Sequence, residues 1–288
     1  MKKILVTGGN GQLGQSLQKI AGAYPQFSIV FTDYAELDIT NAQALTDFFA
    51  DQQIDACINC AAYTAVDKAE SDEDKAFLLN FQAVLNLAEI CAQHKAQLVH
   101  ISTDYVFNGK QNVPYVETDD TDPQGIYGAS KVRGEAAATG YNSETIVIRT
   151  SWLYSEYAVN FVKRMKELMQ EKQELNVVFD QAGTPTYAGD LAKAILDVLQ
   201  YKATNPDAAV GGIYHYSNEG VTSWFDFAVT IKEMTGATTS IQPVTSDKYQ
   251  TAAKRPAYSV LNKEKIKGTF GLAIPYWRDS LAQCLKNM

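Results

Sequence analysis

An α/β fold on a doubly wound parallel sheet is predicted by three features of this 288-residue sequence. The chain opens with a short apolar run that stops at glycines and resumes at helical spacing, a strand, turn and helix in succession. Short apolar runs then alternate with helical patterns as far as residue 150, as in repeated βαβ units. The third feature is a helix carrying Tyr127 and Lys131, which lie on one face with Cβ atoms about 5–6 Å apart. With 46% hydrophobic residues the chain can bury one large core or two intimate ones.

Residues 3–7 form an apolar run of the kind found in buried parallel strands. Gly8, Gly11 and Gly14 follow at G-x-x-G-x-x-G spacing, and residues 15–20 read as a helix. Glycines there allow a tight turn and close approach of a dinucleotide pyrophosphate, which rests on the helix N-terminus. Residues 27–32 read as the second strand, ending at Asp33. An acid about 20 residues past the glycines can bond the adenosine ribose hydroxyls, which favours NAD over NADP. Asp33 could equally cap the turn that follows it. A helix over 41–50 capped by Asn41, a strand over 55–60 and a helix from the acidic turn 71–74 to about His94 continue the alternation.

Residues 98–102 are the next strand, with Thr103 at its carboxyl end, where open parallel sheets bind ligands. A polar loop over 108–125 leads into the Tyr127 helix, and a loop of that length is often functional. A strand over 145–149, a helix over 158–172 and a strand over 175–179 follow, and the alternation loosens. A helix over 189–201 and a strand over 212–216 are expected to rejoin the first sheet. Thr222 or Ser223 caps a helix that Gly236 ends, and a terminal helix starts near Trp277. The expected organisation is a dinucleotide-binding domain over 1–150, rejoined by about 187–217, and a mainly substrate-binding region in the rest of 151–288.

The net charge is −8 and no Lys/Arg cluster falls on any predicted face, which makes nucleic acid and acidic membranes poor partners. Anionic small molecules need only a few placed cations or backbone N–H groups. No secretory segment or bilayer-length apolar run is read, so a cytoplasmic location is expected. Four cysteines suit a reducing compartment as free thiols. Cys57 and Cys60 form a C-x2-C, but on a strand the two side chains point to opposite faces, so no metal site is expected.

A lysine beside a tyrosine favours the phenolate and should lower its pKa from the ordinary value near 10, a tuning suited to proton transfer. The glycine turn, the threonine ending a central strand and the Tyr-x-x-x-Lys helix together resemble the extended short-chain dehydrogenase/reductases that act on nucleotide-sugars. Residues 59–70, 102–107, 149–154, 183–186 and 255–259 narrow the resemblance to the dTDP-4-dehydrorhamnose reductase family, nearly end to end.

That resemblance implies a Rossmann-type sheet with a smaller C-terminal substrate-binding α/β region. The implied reaction is NADPH- or NADH-dependent reduction of the C4 ketone of dTDP-4-dehydro-L-rhamnose to give dTDP-L-rhamnose. The implied catalytic residues are Thr103, Tyr127 and Lys131: Tyr127 as proton donor, Thr103 bonding the ketone, and Lys131 tuning Tyr127 and holding the nicotinamide ribose. Gly8, Asn10, Gly11, Gln12, Leu13 and Gly14 would line the pyrophosphate, Asp38 and Ile39 approach adenine, and Ala61, Ala62 and Tyr63 the nicotinamide; the alanines could also serve close packing. Asn80 matches a position that often supports the lysine.

Asp104 and Trp152 would meet the sugar and Arg255 the substrate pyrophosphate; core packing and a surface ion pair are the other readings of the last two. Related dehydratases carry a second acid after the threonine-aspartate pair, whereas Tyr105 stands here, which argues for reduction. Some relatives dimerise through magnesium-binding acids; Gln15 replaces one here although Asp190 is present, so no metal is expected and a homodimer stays open. An epimerase or reductase of another 4-keto sugar, and a non-catalytic NADP-binding regulatory subunit, are the alternatives. Loss of the tyrosine or lysine would mark the subunit, and both are present.

Overall fold

In the computed structural model, which describes residues 1–249 and 251–288, six parallel strands form the central sheet. They are β1 (Lys2–Thr7), β2 (Phe27–Thr32), β3 (Ala56–Asn59), β4 (Gln97–Thr103), β5 (Ile146–Thr150) and β6 (Gly212–His215), in the order β6-β5-β4-β3-β1-β2. The chain leaves β1 for β2 on one side and returns to β3 on the other. That makes the carboxyl ends of β1 and β3 the switch point of the sheet, where ligands bind in this architecture. Strand β6 pairs with β5 from Gly212 opposite Ile146, so the late segment does rejoin the sheet.

Period-two alternation divides the strands between two cores. Ile4, Val6, Ile58, Val99, Ile146 and Ile148 face the Gln12–Ile20 and Ala188–Thr204 helices, meeting Leu13, Leu17, Leu191 and Ile195. Leu5, Cys57, Leu98 and Val147 face the other side, against Leu45, Phe49, Val84, Leu87 and Ala138. Each large apolar side chain so buried contributes roughly 1.5–3 kcal/mol. Cys57 belongs to the second core while Cys60 packs against the first, the divergence expected of strand residues three apart.

Helix ends follow local chemistry. Asn41 accepts from the Ala44 N–H at 3.1 Å, and Gln53 closes that helix in the left-handed region at φ 51°. Ser223, rather than Thr222, caps the Trp224–Thr235 helix, and Gly236 ends it at φ 69°. The helix Glu73–Gln93 is interrupted by a π-helical turn over Leu78–Gln82. By length and apolar composition alone this helix is one that could cross a membrane, which corrects the expectation that no such stretch exists. Its Val84, Leu87, Ala88, Ile90 and Cys91 are buried against the sheet.

A third core lies beyond β5, where Tyr154, Val162, Met165, Phe227, Ile231, Trp277 and Leu281 pack around two parallel strands, Glu174–Val178 and Ser240–Val244. The polar 108–125 loop is anchored rather than free, because Tyr115 bridges Leu261 and its ring stacks on Phe107 at 4.1 Å. The short helices Val66–Ala69 and Glu264–Phe270 have no counterpart in the sequence reading.

Candidate active site

The glycine turn is shaped by two contacts. Gly8 has φ 68°, and a Cβ there would lie 2.7 Å from the Ala61 nitrogen. A Cβ on Gly14 would meet the Gly8 carbonyl oxygen, so only glycine lets the helix start so close to the strand. The helix itself begins at Gln12, with Gly11 as an N-cap that supplies no side-chain acceptor. Its first N–H groups are therefore open to an anion, and these residues fit a dinucleotide pyrophosphate. Leu13 is buried in the core, and Gln12 reaches out to Leu153 O and Ser155 Oγ.

Asp33 sits at the rim of this turn, but both of its carboxylate oxygens already accept backbone N–H groups, Oδ2 from Asn10 at 2.9 Å and Oδ1 from Tyr34 at 2.8 Å. The Tyr34 bond is the turn-capping reading of Asp33, and the Asn10 bond ties the same carboxylate to the glycine turn. Asp38 accepts from Thr40 N and Oγ1, while the Ile39 side chain is buried in the second core. Ala61 and Ala62 follow β3, with Ala61 beside Gly8. Gln15 donates to Asn10 O, and Asp190 accepts from Asn218 and Ser280. Among the described residues no group of three His, Cys, Asp or Glu is placed to hold a metal.

The catalytic candidates converge at the carboxyl end of β4. A 3-10 turn over Asp104–Val106 follows Thr103, and Tyr105 packs edge-on to Tyr127 with ring centroids 5.5 Å apart. The Ile126–Tyr141 helix lies against this turn closely enough that a Cβ on Gly128 would strike the Tyr105 carbonyl. Thr103 Oγ1 donates to Asp104 Oδ1 at 3.0 Å and accepts from Tyr105 N at 3.2 Å. Its single proton is thus engaged by Asp104, and bonding a ketone requires the hydroxyl to turn. Asp104 is 2% exposed and its Oδ2 has no partner. Burial raises its carboxyl to about 6, against opposing hydrogen bonds from Thr103 and Ser259.

Lys131 does not act on Tyr127 as expected. Its ammonium group donates to Ile101 O at 2.6 Å and lies 3.4 Å from His100 Nε2, not on the phenol. Burial pushes Tyr127 above the ordinary tyrosine range, Asp104 and Tyr105 add to the rise, and only the neighbouring Thr103 hydroxyl works against it. Burial also brings Lys131 down to about 8, with Glu135 opposing. Asn80 departs from its expected role as well. Its amide bonds the backbone of Tyr63 at 2.9 and 3.0 Å and Ser130 Oγ at 3.0 Å, clamping the segment after β3 to the Tyr127 helix instead of supporting the lysine.

On the substrate side, Trp152 has φ 48° and stacks on Trp224 at 3.6 Å. A Cβ on Gly183 would lie 2.6 Å from the Trp152 ring and 2.7 Å from Ser259 Oγ, so indole, turn and the Ser259 segment form one wall. Arg255 pairs with Asp67 Oδ2 at 2.7 Å and donates to Tyr105 Oη at 3.2 Å. The ion-pair reading of Arg255 is what this structure shows, at a place contiguous with Tyr127.

Several residues escaped the sequence reading. Glu135, one helical turn past Lys131, takes Arg149 on both oxygens at 2.9 and 2.7 Å and accepts from Ser102 Oγ at 2.5 Å. Removing one partner of such a buried pair costs about 3–5 kcal/mol. The available signal was the polar His100 and Ser102 in an otherwise apolar strand, together with an acid four residues past Lys131 on the same helical stripe.

A parallel sheet with a glycine turn at its switch point, and a Tyr-x-x-x-Lys helix against the end of β4, define a Rossmann-type protein of the short-chain dehydrogenase class. Residues 1–288 match the family described as the RmlD substrate binding domain, and the chain belongs to that family. It is 38% identical over 287 residues to the dTDP-4-dehydrorhamnose reductase of Aggregatibacter actinomycetemcomitans, covering 98% of this chain and 97% of that one. It is 40% identical over 290 residues to the spore coat polysaccharide biosynthesis protein SpsK of Bacillus subtilis, covering 100% and 98%. The solved dTDP-4-dehydrorhamnose reductase of Bacillus anthracis, in complex with NADP, superposes with a TM-score of 0.94 at 36% identity over 100% of both chains.

Proposed function

We propose that this protein reduces the C4 ketone of dTDP-4-dehydro-L-rhamnose to give dTDP-L-rhamnose, using NADPH or NADH. The observation that carries the reading is the placement of Tyr127 beside the Thr103 hydroxyl and Asp104 at the end of β4, in a chain similar over its full length to reductases of that name. A bound reduced nicotinamide supplies the hydride. Gly8, Gly11 and Gly14 would admit its pyrophosphate, with Asn10, Gln12 and Asp33 at the rim. Burial keeps Tyr127 a phenol, so it holds the proton that the developing alkoxide takes. Thr103 turns its hydroxyl from Asp104 to the same oxygen. Lys131 holds the nicotinamide ribose, Trp152 and Asp104 bind the sugar, and Arg255 meets the diphosphate by exchanging Asp67 for it. We assign residues 1–150 with 187–217 to cofactor binding and the remainder mainly to substrate binding, in a cytoplasmic enzyme, and leave dimerisation to measurement.

The test is absorbance at 340 nm with NADH or NADPH and enzymatically prepared dTDP-4-dehydro-L-rhamnose. Rapid loss of signal is expected, and the two rates rank the cofactors. A folded, cofactor-binding protein that leaves the absorbance unchanged would overturn the substrate assignment.

A further inference from the structure

Beneath the site a row of polar side chains crosses three adjacent strands. Thr7 on β1 pairs in register with Asn59 on β3, and Asn59 with His100 on β4, so all three lie in one row of the pleat. Thr7 Oγ1 donates to Asn59 Oδ1 at 2.7 Å, and the backbone N–H of Ala61 donates to the same oxygen at 3.2 Å. A backbone N–H can only donate, which fixes the Asn59 oxygen on that side and turns its NH2 group toward His100. Asn59 Nδ2 lies 3.1 Å from His100 Nδ1, so Nδ1 must accept. The imidazole is fully buried and held well below its ordinary pKa by burial and by Lys131, so it is neutral. A neutral ring that accepts at Nδ1 carries its proton on Nε2, the nitrogen 3.4 Å from Lys131 Nζ.

An ammonium group has three donors and no acceptor, whereas the free amine has a lone pair. Facing Nε2–H, the amine accepts a hydrogen bond and still donates to Ile101 O, but the ammonium meets a donor with a donor. We propose that His100 is a positioning residue for Lys131: locked by Asn59 and Ala61 with its proton on Nε2, it fixes the lysine head over Ile101 and weakens its ammonium form. The consequence for turnover rests on the reductase reading above; the tautomer does not. The other charged group acting on the lysine is Glu135, already paired with Arg149.

Two readouts need no substrate. In 15N-histidine-labelled protein, the His100 ring, identified by its loss in His100→Gln, is expected to show the Nε2–H pattern across neutral pH. In ε-13C-lysine-labelled protein, the Lys131 resonance should titrate near 8 in the wild type. It should titrate about one pH unit higher in His100→Gln, whose amide can turn its oxygen to the lysine. Asn59→Asp presents an acceptor to Nδ1, forces the proton there and frees Nε2 to accept, so it should move the lysine the same way by an independent route. The basic limb of kcat/KM should shift with the titration. An Nδ1–H ring, or a Lys131 midpoint unmoved in the folded variants, would overturn the proposal. A wild type that turns over no 4-keto sugar nucleotide would instead remove the reductase reading and leave the two spectroscopic results standing.

Discussion

Among single residues, the proposed proton donor Tyr127 and its neighbour Asp104 have protonation states set by burial. Tyr127 stays protonated because its half-buried phenol loses hydration and Asp104 stands beside it, not because a cation is absent from the helix. Replacing Tyr127 with Phe removes the proton donor and little volume. We expect kcat to fall by about 10²–10⁴-fold, with the cofactor dissociation constant, followed by NADPH fluorescence, nearly unchanged. A variant retaining most of its kcat would mean that another group supplies the proton. Tyr127, Lys131 and Thr103 were legible in the sequence because their spacing and placement beside a strand end are local. Their partners were not: Lys131 meets His100, 31 positions away, and Arg255 meets Asp67, 188 positions away.

At the scale of elements, the Ile126–Tyr141 helix is held by contact on one side and is open on the other. Gly134 lies where a Cβ would strike the carbonyl of Asn80, in the π-helical turn that clamps Tyr63 and Ser130. Gly140, six residues on in the same helix, has nothing within 4 Å of its would-be Cβ. Gly134→Ala should therefore cost about 1–3 kcal/mol. Gly140→Ala should gain about 0.5–1 kcal/mol through the unfolded state. Thermal melts of the two variants should move in opposite directions, by about 2–4 °C per kcal/mol. Equal shifts would show that the helix is free to move off Asn80. The alternation that set the helix and strand boundaries says nothing of this, because the π turn and the close approach depend on what the neighbouring helix brings.

For the whole molecule, the buried titratable groups predict how stability depends on acid. His100 and His215 are held below their ordinary values by burial, His215 to about 3, so from about pH 6.5 downward the unfolded chain binds two protons that the fold refuses. Stability therefore falls as pH falls, by about 1.4 kcal/mol per pH unit for each group. Asp104, raised to about 6, works the other way, since from there down to the ordinary carboxylate value the folded form binds the extra proton. Between about pH 6 and pH 4 the net loss should be one group's worth, about 1.4 kcal/mol per pH unit. Urea melts at pH 7, 6, 5 and 4 check it. Replacing Asp104 with Asn should steepen the decline toward twice that slope, and an unchanged slope would mean that Asp104 does not titrate in this range.

Legible in the chain without its fold were the parallel sheet, the glycine turn at its first strand, the return of the segment ending at His215, and Thr103 with the Tyr127 and Lys131 helix beside it. Each is written in a pattern that spans a few residues, a period of two or 3.6, or a spacing that only one local geometry satisfies. Tertiary structure alone decided which way the Thr103 proton points, that Asn80 clamps a loop, that Lys131 leans on His100 and that Arg255 rests on Asp67. Those outcomes depend on burial and on charges brought together from distant parts of the chain. The free energy of a proton or an ion pair is set by that surrounding medium and not by its neighbours in sequence.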